Sequence, residues 1–190
     1  HRGIETVTYL VSGEIDHGDS LGNRGTIRDG GCQWMTAGSG IIHQEMPQAS
    51  PRMLGLQLWL NLPRKDKFTA PQYRDLSGDK IPRVQEDGVR VGVICGHYGA
   101  TAGPTQGDYV RATMLDVEMA AGSTFRLPTD PAETVFIYIL AGSGVVGEGD
   151  ENLASHRAVL LGSGDVFQAR AGQDGMRLVL FAGRPLREPV

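Results

Sequence analysis

Glycine residues divide this chain into short apolar runs, and that rhythm limits the folds open to it. The 27 glycines are spread through 190 residues, mostly between stretches rich in Val, Ile, Leu, Tyr and Thr. Short strands separated by turns have this pattern, which is typical of β sandwiches and barrels. The predicted strands are residues 6–13, 54–62, 89–96, 134–142 and 177–183. A polar connector is predicted at residues 63–84, with at most a helical turn from Pro71 to Leu76.

Two ordered blocks of similarity indicate an internal repeat. Residues 5–13, ETVTYLVSG, resemble residues 133–142, ETVFIYILAG, with one inserted residue. Residues 30–38 resemble residues 164–172 at about the same distance further along. Chance similarity among glycine-rich strands is the alternative, but two matches in the same order favour duplication. The sequence therefore predicts an all-β protein made of two related barrels.

The repeat also predicts that candidate metal ligands occur in one barrel only. The predicted units are residues 1–82 and residues 83–190. In the first unit, the second block of the repeat is followed by His43 and Glu45. In the second unit, the corresponding positions are Arg177 and Val179. We therefore expect a single metal site, in the first barrel, and a second barrel without metal ligands.

The motif His43-x-Glu45 is the strongest candidate for that site. Residues two apart in a strand point to the same face, so both side chains can project into a barrel. His1 lies at the start of the first strand of the chain and is expected to be a third ligand beside His43 and Glu45. Two imidazoles and one carboxylate suit Fe(II), and less selectively Mn, Co or Ni. The alternative for the pair alone is a buried histidine with satisfied hydrogen bonds beside a solvated glutamate.

The remaining candidates are weaker. If the first strand runs unbroken from His1, alternation places Glu5 on the same face, as a possible ligand or as a hydrogen-bonding partner of one. His17 lies in the polar segment EIDHGDS and is expected in a solvated loop. His97 and His156 have no partner at ligand spacing. Within residues 54–62, leucines alternate with other residues in the pattern of a half-buried strand.

Bulk properties exclude several classes of function. The net charge is −4 and no basic stripe is present, which argues against direct nucleic-acid binding. No apolar run has the length of a membrane span, and two isolated cysteines favour a reducing compartment. We expect a cytoplasmic monomer, also nuclear if the source is eukaryotic. The chain begins with His1 and ends in GRPLREPV, so we expect a fragment lacking both native termini.

One part of the sequence resembles a known family. HRGIETVTYLVSGEIDHGDSLGNRGTI, followed by GGCQWMTAGSGIIHQEMP, is similar to the pirins, which are bicupins of the cupin superfamily. The resemblance implies two tandem cupin-type barrels, with iron bound in the first. The pirin ligands are H-x-H, a further histidine and a glutamate two residues later. His1 matches the second histidine of H-x-H, and His43 and Glu45 match the others. The first histidine would fall two positions before His1, outside this sequence.

The resemblance implies two alternative functions. Some pirins resemble quercetin 2,3-dioxygenases, which open a flavonol ring and release carbon monoxide. On that reading the partner is a small aromatic substrate, and Glu45 is the catalytic residue that takes the proton of its hydroxyl group. Other pirins act as iron- or redox-dependent partners of transcription factors or metabolic enzymes. On that reading the protein is a non-catalytic interaction module.

Overall fold

A computed structural model describes all 190 residues, and β strands make up most of it. In chain order the strands are β1 (Ile4–Ser12), β2 (Glu14–Asp19), β3 (Arg24–Arg28), β4 (Cys32–Thr36), β5 (His43–Pro47), β6 (Leu54–Asn61), β7 (Gln72–Leu76), β8 (Arg83–Glu86), β9 (Val89–Cys95), β10 (His97–Tyr98), β11 (Thr101–Ala102), β12 (Ala112–Met119), β13 (Thr124–Pro128), β14 (Thr134–Val146), β15 (Asn152–Ala154), β16 (Ala158–Leu160) and β17 (Val166–Gly183). Two 3-10 helices span Arg64–Asp66 and Gly78–Lys80. No helix has the length and apolar character needed to cross a membrane. The predicted all-β class is confirmed.

The five strands predicted from the sequence are confirmed as β1, β6, β9, β14 and β17. The helical turn predicted from Pro71 to Leu76 is wrong, because residues 72–76 form β7. This strand pairs antiparallel with β4, and Arg74 lies opposite Trp34. Pairing with a neighbouring strand outweighs weak local propensity in a short polar segment.

The chain divides into two compact units. The first comprises residues 1–81 together with residues 186–190, and the second comprises residues 82–185. In the first unit, one antiparallel sheet has the order β6-β1-β4-β7 and the other has the order β3-β2-β5. Both sheets contribute side chains to the candidate site described below.

The second unit is built around two long strands, β14 and β17. They pair along most of their length, and β12, β9 and β8 extend the sheet on one side. The side chains between the strands are apolar, with Phe125, Ile137 and Leu180 all at most 2% exposed. Each large side chain buried in this way contributes about 1.5–3 kcal/mol to folding. The interior of this unit is therefore a packed hydrophobic core.

Strand pairing supports the first block of the repeat. In the first unit, β1 pairs with β4 on one side and with β6 on the other. In the second unit, the first part of β14 pairs with β16 and with residues 177–183 of β17. The two strands of the first block, β1 and the start of β14, therefore occupy equivalent places.

Strand pairing shows that the predicted equivalence of residues 30–38 and 164–172, the second block of the repeat, is wrong. His43 and Glu45 lie on β5, which pairs with β2. The equivalent pairing in the second unit joins the end of β14 to residues 169–171. Arg177 instead belongs to the stretch that pairs like β6. The similarity arose between glycine-rich strands that are not equivalent.

The corrected alignment identifies which residues replace the candidate ligands. Gly13 and Gly142 end the first block, so His17 corresponds to Val146, four residues further on. His17 pairs with Glu45, and Val146 pairs with Ala169. Ala169 therefore stands at the position of Glu45, and Phe167, two residues earlier, at that of His43. Both are buried, at 0% and 3% exposure.

Candidate metal site

A polar face lies inside the first unit, between its two sheets. Thr8 on β1 pairs with Gln57 on β6, and His17 on β2 pairs with Glu45 on β5. Directly paired residues of antiparallel strands share a face. A hydrogen bond from Thr8 Oγ1 to Glu45 Oε1, 2.9 Å long, joins the two sheets across this face. His43 lies on the same face, because it precedes Glu45 by two residues.

His1 and His43 approach each other closely. Their ring centroids are 5.0 Å apart and the ring planes are inclined by 46°. The backbone fixes this approach, since the His1 backbone nitrogen donates to the carbonyl of Ile41 at 2.9 Å and Ile41 N–H donates back to the His1 carbonyl at 3.0 Å. The indole of Trp59 packs edge-on against His1, 5.0 Å away.

The burial and protonation of the His43 imidazole suit a metal ligand. Its Nδ1 atom is buried and makes no hydrogen bond. Burial lowers the pKa of the imidazole below its ordinary value, although the charge of Glu45 acts in the opposite direction. A neutral imidazole carries the lone pair that a metal requires. His43 is therefore held in the protonation state that can coordinate a cation.

Neighbouring side chains orient the carboxylate of Glu45. Gln57 Nε2 donates to Oε1 at 3.0 Å and to Oε2 at 3.2 Å, in addition to the bond from Thr8. Trp59 Nε1 in turn donates to Gln57 Oε1 at 2.9 Å. The sequence reasoning missed Thr8, Gln57 and Trp59 as parts of the site. Alternation in residues 54–62 reveals two faces of the strand, but it does not show that the polar face is the one lining the site.

Glu5 does not join these residues. Gly3 has φ of +69°, so the backbone turns there and the alternation expected from His1 is interrupted. Glu5 is fully buried and accepts a hydrogen bond of 2.6 Å from Thr36 Oγ1. It lies on the opposite face of β1 from Thr8, since their positions differ by three. The structure thus separates Glu5 from the face that carries His43 and Glu45.

His17 was expected in a solvated loop, and this prediction is wrong. It lies on β2 with its side chain 2% exposed, and its ring stacks on Tyr73 at 5.6 Å and 9°. Gly25, opposite it on β3, leaves room for the ring, because a Cβ there would lie 2.4 Å from His17 Nε2. Pairing on both sides of β2 gives this polar segment its strand structure. The other two histidines, His97 and His156, are exposed in the second unit.

The residues present fit a divalent cation in their chemistry. No three His, Cys, Asp or Glu side chains form a group arranged to hold a metal ion in this structure. His1 and His43 are nevertheless paired, a buried ring nitrogen of His43 lacks a partner, and Glu45 lies on the same face. The carboxylate is turned towards Thr8 and Gln57. Two imidazoles and a carboxylate are a donor set suited to iron and neighbouring metals.

A cavity of about 730 Å³ opens beside β2, β3 and β5. Its lining includes Gly18 and Gln44, and also His17, Asp19 and His43, which alternate with them along β2 and β5. Glu45 does not contribute to the lining. Residues of both faces of these strands therefore line the cavity, which reaches the candidate ligand His43.

Tyr73 gives the interior a measurable signature. Burial, reinforced by the charges of Asp19, Glu45 and Asp75, raises its pKa to about 12. Tyr73 should therefore stay mostly protonated between about pH 9 and 11, where ordinary tyrosines ionise. In a pH titration of the folded protein, Tyr73→Phe and wild type should gain the same phenolate absorbance over this range. An unfolded tyrosine ionises near pH 10, so linkage through Tyr73 does not change stability below about pH 10 and lowers it as the pH rises from about 10 towards 12. A smaller absorbance change in the variant would show that Tyr73 is accessible to solvent.

Comparison with protein families identifies two matching segments. The family model described as Pirin matches residues 1–60, and the one described as Pirin C-terminal cupin domain matches residues 114–190. A pirin-like protein of Caulobacter vibrioides is 42% identical over all of this chain and 69% of its own length. One of Solanum lycopersicum is 40% identical and is covered over 66% of its length. The chain spans about two thirds of the curated relatives it matches.

Solved structures agree with these matches. The protein GK1651 of Geobacillus kaustophilus superposes with a TM-score of 0.90 and 36% identity, over all of this chain and 78% of that one. A quercetin 2,3-dioxygenase of Acinetobacter baumannii gives a TM-score of 0.89 and 33% identity, over 100% and 67%. A pirin of Escherichia coli in complex with nickel(II) shares the fold, with a TM-score of 0.75 and 20% identity over 97% and 74%. The predicted cupin-type fold is confirmed.

Proposed function

Because the chain belongs to the pirin family, we propose that it is a mononuclear iron-dependent dioxygenase of the quercetin 2,3-dioxygenase type. The observation that carries this proposal is the close approach of the His1 and His43 rings, with Glu45 two residues further along the strand of His43. Similarity to a quercetin 2,3-dioxygenase of Acinetobacter baumannii supports the reaction type. The nickel(II) complex of a more distant pirin supports a divalent metal, with Fe(II) our first choice and Mn, Co or Ni as alternatives.

In this proposal His1, His43 and Glu45 hold the metal. The bound metal supplies a Lewis acid that lowers the pKa of a coordinated hydroxyl group and, as iron, exchanges electrons with dioxygen. His43 can serve without first losing a proton, since burial already lowers the pKa of its imidazole. Thr8 and Gln57, on neighbouring strands of the facing sheet, fix the carboxylate of Glu45 by hydrogen bonds.

Glu45 is the residue that we assign to proton transfer. Its carboxylate accepts the proton of the substrate hydroxyl group, and the electron pair of the O–H bond remains on the substrate oxygen. Gln57 donates to both carboxylate oxygens, so one of these contacts can be given up while the other still orients the group. Carboxylates change their protonation and their mode of coordination more readily than imidazoles do.

An aromatic substrate suits the surroundings of His1. The side chain of Trp59 is in edge contact with His1, and the residue is 62% exposed. Ile42, next to His43, is 79% exposed. Exposed aromatic and aliphatic groups beside a polar site favour flat ligands that are apolar on their faces and polar at their edges. Flavonols have this character.

Oxygen consumption tests the proposal. Protein reconstituted with Fe(II) is expected to consume dioxygen when quercetin is added and to release carbon monoxide. Glu45→Gln should lower the rate about 10²–10⁴-fold, which is the usual contribution of a positioned acid–base group. Glu148→Gln, an exposed position in the second unit, is the matched control and should keep the wild-type rate. If iron-loaded wild-type protein consumes no oxygen with quercetin or related flavonols, the dioxygenase assignment fails and the interaction-module alternative is favoured.

A further inference from the structure

A second polar cluster lies on the interior face beside Glu45, and the proposed metal site does not use it. His17 stands directly opposite Glu45 in the pairing of β2 with β5. Tyr73 on β7 stacks on the His17 ring, with nearly parallel planes. Asp75, two residues further along β7, places Oδ2 at 3.5 Å from His17 Nε2. We call His17 and Tyr73 the stacked pair.

The stacked pair has polar atoms without hydrogen-bond partners. The side chain of His17 is 2% exposed, and neither of its ring nitrogens makes a hydrogen bond. The hydroxyl group of Tyr73 is also buried and unpaired. A buried polar group without a partner destabilises a folded protein, so native structures rarely retain one that has no role. Two such groups in contact indicate a place where a ligand supplies the missing partners.

Space and charge around the stacked pair restrict that ligand. Gly25 lies under the His17 ring, where a Cβ would come within 2.4 Å of Nε2, so the ring is closely enclosed on that side. The carboxylates of Asp19, Glu45 and Asp75 act on Tyr73, since their negative charges disfavour its ionisation. An anionic ligand would be repelled by the same charges. A neutral hydroxyl group, which both donates and accepts, matches the phenol and the imidazole.

We propose that His17 and Tyr73 form a hydrogen-bonding subsite that binds a neutral phenolic hydroxyl group of a polyhydroxylated aromatic substrate, next to the metal ligands. This inference rests on the proposed function for the presence of such a substrate. It adds that the substrate is held by a second hydroxyl group, different from the one that loses its proton to Glu45. The stacked pair is thus a specificity determinant, and it favours hydroxylated over unsubstituted or carboxylated aromatic compounds.

Ligand binding by the Fe(II) protein in the absence of oxygen tests this subsite. The probes are quercetin and unsubstituted flavone, with dissociation constants measured by calorimetry. Tyr73→Phe keeps the ring but removes the hydroxyl group, and we expect it to weaken quercetin binding about three- to tenfold, the value of one neutral hydrogen bond. Flavone binding should not change. The midpoint of thermal unfolding should stay the same or rise, because the variant removes an unpaired buried group.

Two further variants complete the test. Tyr98→Phe, in the second unit, is the matched control and should leave quercetin binding unchanged. His17→Leu has similar volume to the wild type and should weaken quercetin binding by a similar factor, whereas His97→Leu should not.

The outcomes separate this subsite from the proposed function. Weaker quercetin binding by Tyr73→Phe supports the subsite even if no oxygen is consumed, in which case only the dioxygenase assignment fails. Unchanged quercetin binding in both Tyr73→Phe and His17→Leu overturns the subsite even if oxygen is consumed. A lower unfolding midpoint for Tyr73→Phe with unchanged binding shows a purely structural hydroxyl group and also overturns it. Failure of the wild-type protein to bind quercetin overturns both.

Discussion

Replacing His43 by alanine is expected to remove the metal from this protein. His43 pairs with His1, and its buried Nδ1 atom has no hydrogen-bond partner. Removing a group that only orients a metal ligand costs about 10–100-fold in affinity, so losing the ligand itself should cost more than about 100-fold. After anaerobic loading with Fe(II) and dialysis, elemental analysis should find about one metal ion per wild-type chain and less than a tenth of that in the variant.

The control for this experiment is His97→Ala, at an exposed histidine of the second unit. Its metal content should equal that of the wild type. Circular dichroism should show that His43→Ala keeps its strand content, since His43 is only half-buried and lies outside the hydrophobic clusters. Equal metal content in His43→Ala and wild-type protein would remove His43 from the site and with it the basis of the proposed reaction.

Local sequence patterns predicted much of the fold. Runs of β-branched and aliphatic residues between glycines identified β1, β6, β9, β14 and β17. They succeeded because apolar strands are long enough, and glycine turns distinctive enough, to be recognised without tertiary information. The spacing of His43 and Glu45 likewise placed both on one face of β5, since alternation is a local property of any strand.

Other features depend on the backbone at single residues or on distant partners. The turn at Gly3, with positive φ, separates the face of Glu5 from that of the metal candidates, and no pattern in the surrounding sequence reveals it. His17 lies in a segment of polar residues, so only its pairing with Glu45 and its stacking on Tyr73 show that it is buried. Gln57 has a role only because β6 pairs with β1 and brings it to Glu45.

The second block of the repeat shows how similar strands can mislead. Residues 30–38 and 164–172 share glycine spacing, but β4 pairs with β1 whereas residues 166–170 pair with β13. The two segments have similar composition but different partner strands, and only their hydrogen-bonded register shows that they are not equivalent. The corrected register replaces Arg177 and Val179 by Phe167 and Ala169 as the counterparts of the candidate ligands. These counterparts form part of a hydrophobic core.

That correction predicts a large loss of stability when Ala169 is replaced by glutamate. The position corresponds to Glu45, but Ala169 is 0% exposed and pairs with Phe125 and Val146 instead of polar partners. An uncompensated buried charge costs about 3–5 kcal/mol, so the free energy of unfolding should fall by that amount in urea experiments followed by circular dichroism. Burial should also raise the pKa of the new carboxyl group in the folded state.

The pH dependence of stability and a matched variant test whether burial of the carboxylate causes the loss of stability in Ala169→Glu. The introduced carboxyl group should have a higher pKa in the folded than in the unfolded protein. Its cost in unfolding free energy is therefore complete above the folded-state pKa and shrinks as the pH falls through that value. The difference in unfolding free energy between Ala169→Glu and wild type should therefore become smaller as the pH is lowered. Ala158→Glu, at an exposed position of β16, introduces the same charge and should change stability by less than about 0.5 kcal/mol. If Ala169→Glu is as stable as Ala158→Glu, position 169 tolerates a carboxylate as position 45 does, and the two barrels differ less in their interiors than the register implies.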